Sequence, residues 1–267
     1  MEIQLWREIL EPYSLAVDEL IVKFEHMISA KRDNGQYSSI ERVDGRVKKI
    51  SSILAKCQKK GISFEDFEEN MDDIAGIRII CQFVEDIYDV VSLIRLRSDM
   101  RVKREKDYIK NQKDSGYRSY HMIVYYTVET EKGPREIPVE IQIRTLAMNF
   151  WATVEHSLQY KYKGNLPESV NERLHKSAEA IVVLDREMST VREEILDAQA
   201  SFNYKANRVA DILTNIQNLY NIANKQEIVR IQEEFFRVYA MDDMNELSKF
   251  ARELDLLSES YKAQSLK

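Results

Sequence analysis

Two carboxylates stand where chemistry needs them. Asp73 lies just ahead of an isoleucine-rich run and Glu140 lies inside an alternating one, so separate sheet elements would carry them. Such a pair suits Mg²⁺, a hard cation that takes one or two carboxylates and completes its shell with substrate phosphates. Arg46, Lys48, Lys56, Arg78 and Lys106 would neutralise a triphosphate. Tyr117 offers a ring for stacking on a base, and His121 a donor to a second nucleotide's phosphate. A carboxylate beside a hydroxyl accepts its proton. These are the parts of phosphoryl or pyrophosphoryl transfer, which runs on positioning and electrostatics. Side chains must hold the phosphates. The seven glycines, at 35, 45, 61, 76, 116, 133 and 164, are never closer than ten residues, which excludes a Walker loop and a G-x-G-x-x-G turn.

The charge distribution points the same way. The 267 residues carry 39 Lys and Arg against 45 Asp and Glu, a net −6, which argues against a protein that coats nucleic acid. Residues 42–60 nevertheless hold seven bases and one acid, and residues 101–118 seven bases and three acids. Residues 63–73 hold six acids and no base. Positive charge concentrated inside an acidic chain suits a bounded polyanion.

The elements that must position these groups follow from periodicity. Apolar spacing predicts a helix from Ile3 to about Ser29, with Pro12 as a kink or restart. A second helix is expected from about Val47 to Lys60, ending at Gly61. On it Lys48, Ser52, Lys56 and Lys59 share one face, and Ile50, Ile53, Leu54 and Cys57 the other. A solvated surface helix and a phosphate clamp share this pattern. Residues 64–71 read as a short acidic helix or loop. Ile74–Val84 reads as a buried strand, in which Gly76 marks a bulge or a close backbone approach. Asp73 on its own would serve as a cap. A helix over 86–97 and an exposed strand over 100–108 follow. Tyr117–Glu129 and Pro138–Arg144 form an antiparallel hairpin across Glu131–Pro134. Val139, Ile141 and Ile143 alternate there with Glu140, Gln142 and Arg144. A helix over 145–161 is broken by Gly164 and Pro167. Helices over 168–200, 209–223, 228–239 and 244–261 complete an α+β chain, a small mixed sheet flanked by helices with a helical C-terminal region.

Other features bound the function. The 44% of apolar residues can build a core. The longest uncharged run, residues 212–224, has 13 residues, short of the roughly 18 that a membrane span needs. Glu2, Arg7, Glu8 and Glu11 do not suit a signal peptide. Cys57 and Cys81 lack metal spacing, and a reducing cytoplasm is expected. His156 and His175 lack ligand partners at helical spacing and read as structural.

At the residues singled out, the chain resembles a known family. G-R-V-K at 45–48, D-I-A-G-I-R at 73–78, S-G-Y-R-S-Y-H at 115–121 and E-I-Q-I-R-T at 140–145 are similar, in that order, to the synthetase domain of the RelA/SpoT alarmone enzymes. A-M-N-F-W-A-T-V-E-H at 147–156 is similar to the small alarmone synthetases. The similarity covers about residues 1–200. It implies a nucleotidyltransferase fold related to polymerase β over 1–202, followed by a helical extension over 203–267. It implies transfer of the β,γ-pyrophosphate of ATP to the 3′-hydroxyl of GTP or GDP, giving AMP and pppGpp or ppGpp, by a synthetase without a hydrolase domain. By motif position Asp73 is a Mg²⁺ ligand, and Glu140 a second ligand or the base for the 3′-hydroxyl. Arg46, Lys48, Ser52, Lys56, Arg78 and Lys106 match the ATP side. Lys113, Tyr117, His121, Gln142 and Asn149 match the guanine-nucleotide side. A homotetramer is the usual assembly of the small members.

Two rivals belong beside this reading. One is a toxic relative acting on adenine nucleotides or tRNA 3′ ends, against which the acidic residues after 203 argue. The other is a non-catalytic nucleotide- or RNA-binding scaffold, which would not need Asp73 and Glu140. RNA contact stays open. In one branch of the family the product activates the tetramer through a central cleft. This chain carries Ile21, Glu25, Arg42 and Asp44 at the corresponding places, which implies little or no activation by pppGpp.

Overall fold

The computed structural model describes residues 2–63, 65–162, 167–220 and 223–265. Phe64, the expected start of the short acidic element, and Gly164, an expected break, lie outside them. The chain forms two compact units, Met1–Ser189 and Thr190–Lys267. In order the elements are α1 (Glu2–Asp33), β1 (Arg42–Val47), α2 (Ile50–Lys60), α3 (Phe67–Asn70), β2 (Ala75–Cys81), α4 (Val84–Leu96), β3 (Met100–Asp107), β4 (Tyr120–Thr130), β5 (Gly133–Thr145), α5 (Leu146–Lys161), α6 (Glu168–Leu219), α7 (Lys225–Ala240) and α8 (Met244–Ser265).

Five strands form one mixed sheet in the order β1-β2-β5-β4-β3. β2 and β5 are parallel, and every other neighbouring pair is antiparallel. The expected hairpin is the β4–β5 pair, with Thr130 opposite Gly133. Side chains alternate across a strand, so most of the isoleucines sort to one face. Ile77, Ile79, Ile141, Ile143, Met122 and Val124 are buried there. α1 brings Tyr13, Val17, Leu20, Phe24 and Ile28 to the same core, and α4 brings Ile87, Val90, Val91 and Ile94. Burying a side chain such as Phe24 contributes roughly 1.5–3 kcal/mol. α1 comes close at Gly45, where a Cβ would lie 2.7 Å from Val17 Cγ1 and 2.9 Å from Ile21 Cδ1. The opposite sheet face carries most of the polar groups, with Ile80 and Ile123 among them.

Four expectations need correction. The second helix starts at Ile50, not Val47, because pairing with β2 continues through Lys48, whose N–H donates to the Ile74 carbonyl at 2.8 Å. Its apolar face is half used: Ile53 and Cys57 are buried, while Ile50 and Leu54 are exposed. α1 runs through Pro12 without a break. The helices expected over 168–200 and 209–223 are one helix, α6, because no glycine or proline interrupts 168–219 although the apolar period lapses between them. In the second unit, Ile212, Ile216 and Leu219 of α6 pack with Phe235 and Val238 of α7 and Phe250 and Leu254 of α8.

Candidate active site

The polar face of the sheet arranges the singled-out residues in two rungs. Asp44, Arg78, Gln142, His121 and Lys106 are successive partners across β1, β2, β5, β4 and β3. The neighbouring rung is Arg46, Gly76, Glu140, Ile123 and Arg104. Directly opposed residues share a face, so groups from four of the five strands converge beside Glu140.

The β1–β2 side of Glu140 holds a cleft of about 230 Å³, lined by Arg46, Lys48, Asp73, Gly76, Arg78 and Glu140 among others. Gly76 forms its floor. Its register is unbroken, and the one irregularity in the sheet lies in β3 between Val102 and Arg104, so no bulge explains the glycine. A Cβ at Gly76 would meet only the Arg46 and Glu140 carbonyl oxygens, at 3.7 and 4.0 Å. The missing side chain therefore relieves no clash; it keeps the cleft open. Asp73 Oδ2 accepts from Lys48 Nζ at 2.8 Å and pairs with Lys56 Nζ at 2.7 Å. Asp73 Oδ1 is buried without a partner. Burial is the largest influence on Asp73 and acts to raise its pKa, but the two ammoniums outweigh it and hold the carboxyl below its ordinary value. Arg78 Nε is buried and unpartnered. Burial, and then the positive charges of Arg144 and Arg46, lower the Arg78 pKa, the signature of a cation held among cations. Ser52 is exposed on α2, one helical turn before Lys56.

On the other side of Glu140 a smaller depression, about 100 Å³, is lined by Arg104, Lys106, Tyr108, His121 and Glu140 among others. Lys106, assigned to the ATP side by motif, stands here, away from Arg46 and Arg78. A hydrogen-bonded chain runs through this half. Glu140 Oε1 is 3.1 Å from His121 Nδ1, and Oε2 accepts from Gln142 Nε2 at 2.9 Å. His121 Nε2 is 2.8 Å from the Tyr117 hydroxyl. Burial acts to raise the Glu140 pKa, and Asp73 adds to it, but His121 and Gln142 bring it below the ordinary value. Lys113 Nζ stands 4.6 Å from the Tyr117 ring centre and 4.7 Å from that of Tyr108. The loop that carries Lys113 is pressed on α6: Gly116 has a positive φ, and a Cβ there would lie 2.6 Å from Ala178 Cβ. Asn149 lies in the first turn of α5, its Oδ1 buried without a partner.

Residues 45–165 match the model of the region found in RelA / SpoT proteins. The chain is 49% identical over 205 residues, 77% of its length and 97% of the relative's, to the GTP pyrophosphokinase YjbM of Bacillus subtilis. The chain belongs to the RelA/SpoT family. Among solved structures it matches the small alarmone synthetase 1 of Bacillus subtilis bound to its product pppGpp, with a TM-score of 0.70, 49% identity, and coverage of 72% of this chain and 98% of that one. It also matches that synthetase bound to AMPCPP, with a TM-score of 0.64, 45% identity, and coverage of 73% and 99%. The small mixed sheet flanked by helices that the apolar periodicity predicts is the one observed.

Two features of this RelA/SpoT site lay outside the sequence reading. The basic run over 101–118 is partly neutralised, since Lys103 and Arg104 pair with Asp72 at 2.9 and 3.0 Å, and Arg101 with Glu136 at 3.0 Å. Asp72, from the acidic stretch before Asp73, is thus a counter-charge of β3. The second feature is Arg144, which donates to Gln142, Ser119 and Tyr117. Its signal was the polar side of the β5 alternation. His156 is exposed, and His175 Nδ1 lies 3.7 Å from Glu179 Oε1, remote from any ligand set among the described residues.

Proposed function

We propose that this protein is a GTP/GDP pyrophosphokinase that moves the β,γ-pyrophosphate of ATP to the 3′-hydroxyl of GTP or GDP. The observation that carries the reading is Glu140, a single carboxylate shared by a cation-rich cleft on one side and an aromatic, hydrogen-bonded subsite on the other. Arg46, Lys48, Lys56 and Arg78 take the triphosphate of the donor, with Ser52 beside them. Tyr117 carries the acceptor base, and Lys113, His121, Gln142 and Asn149 bind the rest of that nucleotide. Lys106 lies where the transferring phosphates pass from one half to the other. The 3′-oxygen forms a bond to the β-phosphorus, the bond from that phosphorus to the oxygen bridging the α-phosphate breaks, and AMP leaves. The 3′-hydroxyl proton goes to Glu140, held ionised by His121 and Gln142.

Mg²⁺ fits this donor set. The buried, unpartnered Asp73 Oδ1 and the nearby Glu140 are hard oxygen ligands, and the described residues hold no cluster of three or more ligating side chains. Asp73 and Glu140 would hold the ion, with phosphates completing its shell. Bound there, it supplies charge neutralisation to the transferring group. A homotetramer belongs to the same proposal, supported by Leu146, Phe150 and Val154, an exposed apolar stripe on α5. Little or no activation by pppGpp belongs to it too, because Arg42 is already paired with Asp44 at 3.2 Å. The test is one incubation of terminally labelled ATP and Mg²⁺ with GTP, GDP, ATP or tRNA as separate acceptors. Label on GTP or GDP supports the proposal; label on ATP or tRNA alone, or on none, contradicts it.

A further inference from the structure

One buried polar group has no part in this scheme. Arg144 is only 5% exposed, yet no carboxylate pairs with it among the described residues. Its Nε donates to Ser119 Oγ at 3.2 Å, and its Nη2 donates to Gln142 Oε1 at 2.8 Å and to the Tyr117 hydroxyl. Its Cζ stands 5.0 Å from the Tyr117 ring centre. Ser119 is fully buried and fixed by its own hydroxyl to the Ile143 carbonyl at 3.2 Å. A buried guanidinium with neutral partners bears a desolvation cost that no ion pair returns. What it gains here is orientation.

A guanidinium only donates, so the Gln142 oxygen must face Arg144 and its NH₂ must face Glu140. The same guanidinium fixes the ring and hydroxyl of Tyr117, 2.8 Å from His121 Nε2. Both hydrogen-bond partners of Glu140 therefore lead back to one residue, through Gln142 directly and through Tyr117 and His121. Lys113, exposed over the same ring, can yield its place to a base; Arg144 is buried and cannot.

We propose that Arg144 is the positioning residue of the acceptor subsite, one guanidinium that sets both the Tyr117 ring for the acceptor base and the Gln142 amide beside Glu140. The inference rests on the proposed acceptor role of this half. Lysine does not replace the planar fork, which makes its bonds from fixed directions.

The test compares Arg144→Lys and Arg144→Ala with the native enzyme, varying GTP and ATP separately. The expected result is an acceptor KM raised at least about tenfold while the ATP KM stays within about threefold. Guanidinium at tens of millimolar should restore Arg144→Ala several-fold, and sodium chloride at equal ionic strength should not. Tyr117→Phe keeps the ring but removes one bond to Arg144, so Tyr117→Phe with Arg144→Lys should lose less than the product of the two single effects. That combination carries the test if Arg144→Ala does not fold. Equal rises in both KM values, an acceptor KM within twofold in Arg144→Lys, no guanidinium rescue of a folded Arg144→Ala, or fully multiplicative effects would each overturn the assignment. Native enzyme that labels no guanine nucleotide defeats the functional reading itself; native enzyme that does so while these variants behave normally defeats only this inference.

Discussion

The two halves of the sheet face are built on opposite principles. Toward β1 and β2, positive charge is left in excess: burial, and then Arg144 and Arg46, lower the Arg78 pKa, and its Nε has no partner. Toward β4, the polar groups are already wired together, from Arg144 through Tyr117 and His121 to Glu140. Unpaired cations in a cleft attract any polyphosphate, so the first half provides affinity with little discrimination. Preset rings and amides accept one shape of partner, so the second half provides selection at small cost in reorganisation. Binding a common donor and choosing a particular acceptor call for these two designs.

That contrast can be broken most severely at Asp73. Asp73→Asn removes the charge that answers Lys48 and Lys56, and turnover should fall by at least about a hundredfold, roughly 2.7 kcal/mol in barrier, with the far-ultraviolet circular dichroism unchanged. Gly76→Val tests the open floor of the same cleft. Because a Cβ there meets nothing closer than 3.7 Å, the fold should tolerate it while ATP binding measured by calorimetry weakens by tenfold or more. A variant that binds ATP normally would show that the floor is not occupied. Tyr117→Ala addresses the other half. Stacking on an aromatic ring is worth roughly 1–3 kcal/mol per base, so GTP and GDP should weaken about 5- to 150-fold and ATP much less; equal losses would erase the distinction between the halves.

The last effect, on stability rather than turnover, concerns the frame of the acceptor half. Thr145 caps α5 and donates to buried Asp185 at 2.9 Å. Burial, with Glu85 adding, raises the Asp185 pKa to about 6 against the opposing Thr145 bond and Arg118. A folded-state pKa above the unfolded one means that the folded chain holds the extra proton, so this stabilisation is complete below about pH 4 and lost as pH rises through 6. Above that, ionised Asp185 costs of order 2–3 kcal/mol. Asp185→Asn keeps an acceptor for Thr145 without the charge. Thermal unfolding should therefore show it more stable than the native chain at pH 8, with the gap closing toward pH 4; a gap independent of pH would contradict the linkage.

What the sequence revealed followed from how local each signal is. The Ile74–Val84 run, the alternation over 139–144 and the hairpin turn are patterns of neighbours, and β2, β5 and the β4–β5 pairing matched them. β1 escaped because R-V-D-G-R-V has a single buried apolar residue, Val43, and its glycine serves contact with α1 rather than a turn. The carboxylates and cations of the donor cleft were legible because charged side chains announce themselves at any distance. The pairing of Asp72 with Lys103 and Arg104 was not, since about thirty residues separate the partners. Nor was Arg144, whose role depends on Ser119 and Tyr117 arriving from the loop that leads into β4, where neutral hydrogen bonds leave no trace in composition.

Glu140 is where the two halves meet, and Glu140→Gln tests that claim most directly. The substitution keeps the shape and an amide oxygen but removes the charge and the proton acceptor. Single-turnover transfer from ATP to GTP should fall by at least about a hundredfold, roughly 2.7 kcal/mol, while calorimetric binding of ATP alone and of GTP alone, without metal, stays within a few-fold of native. Transfer retained within tenfold, or loss of transfer wholly accounted for by loss of binding, would contradict the account.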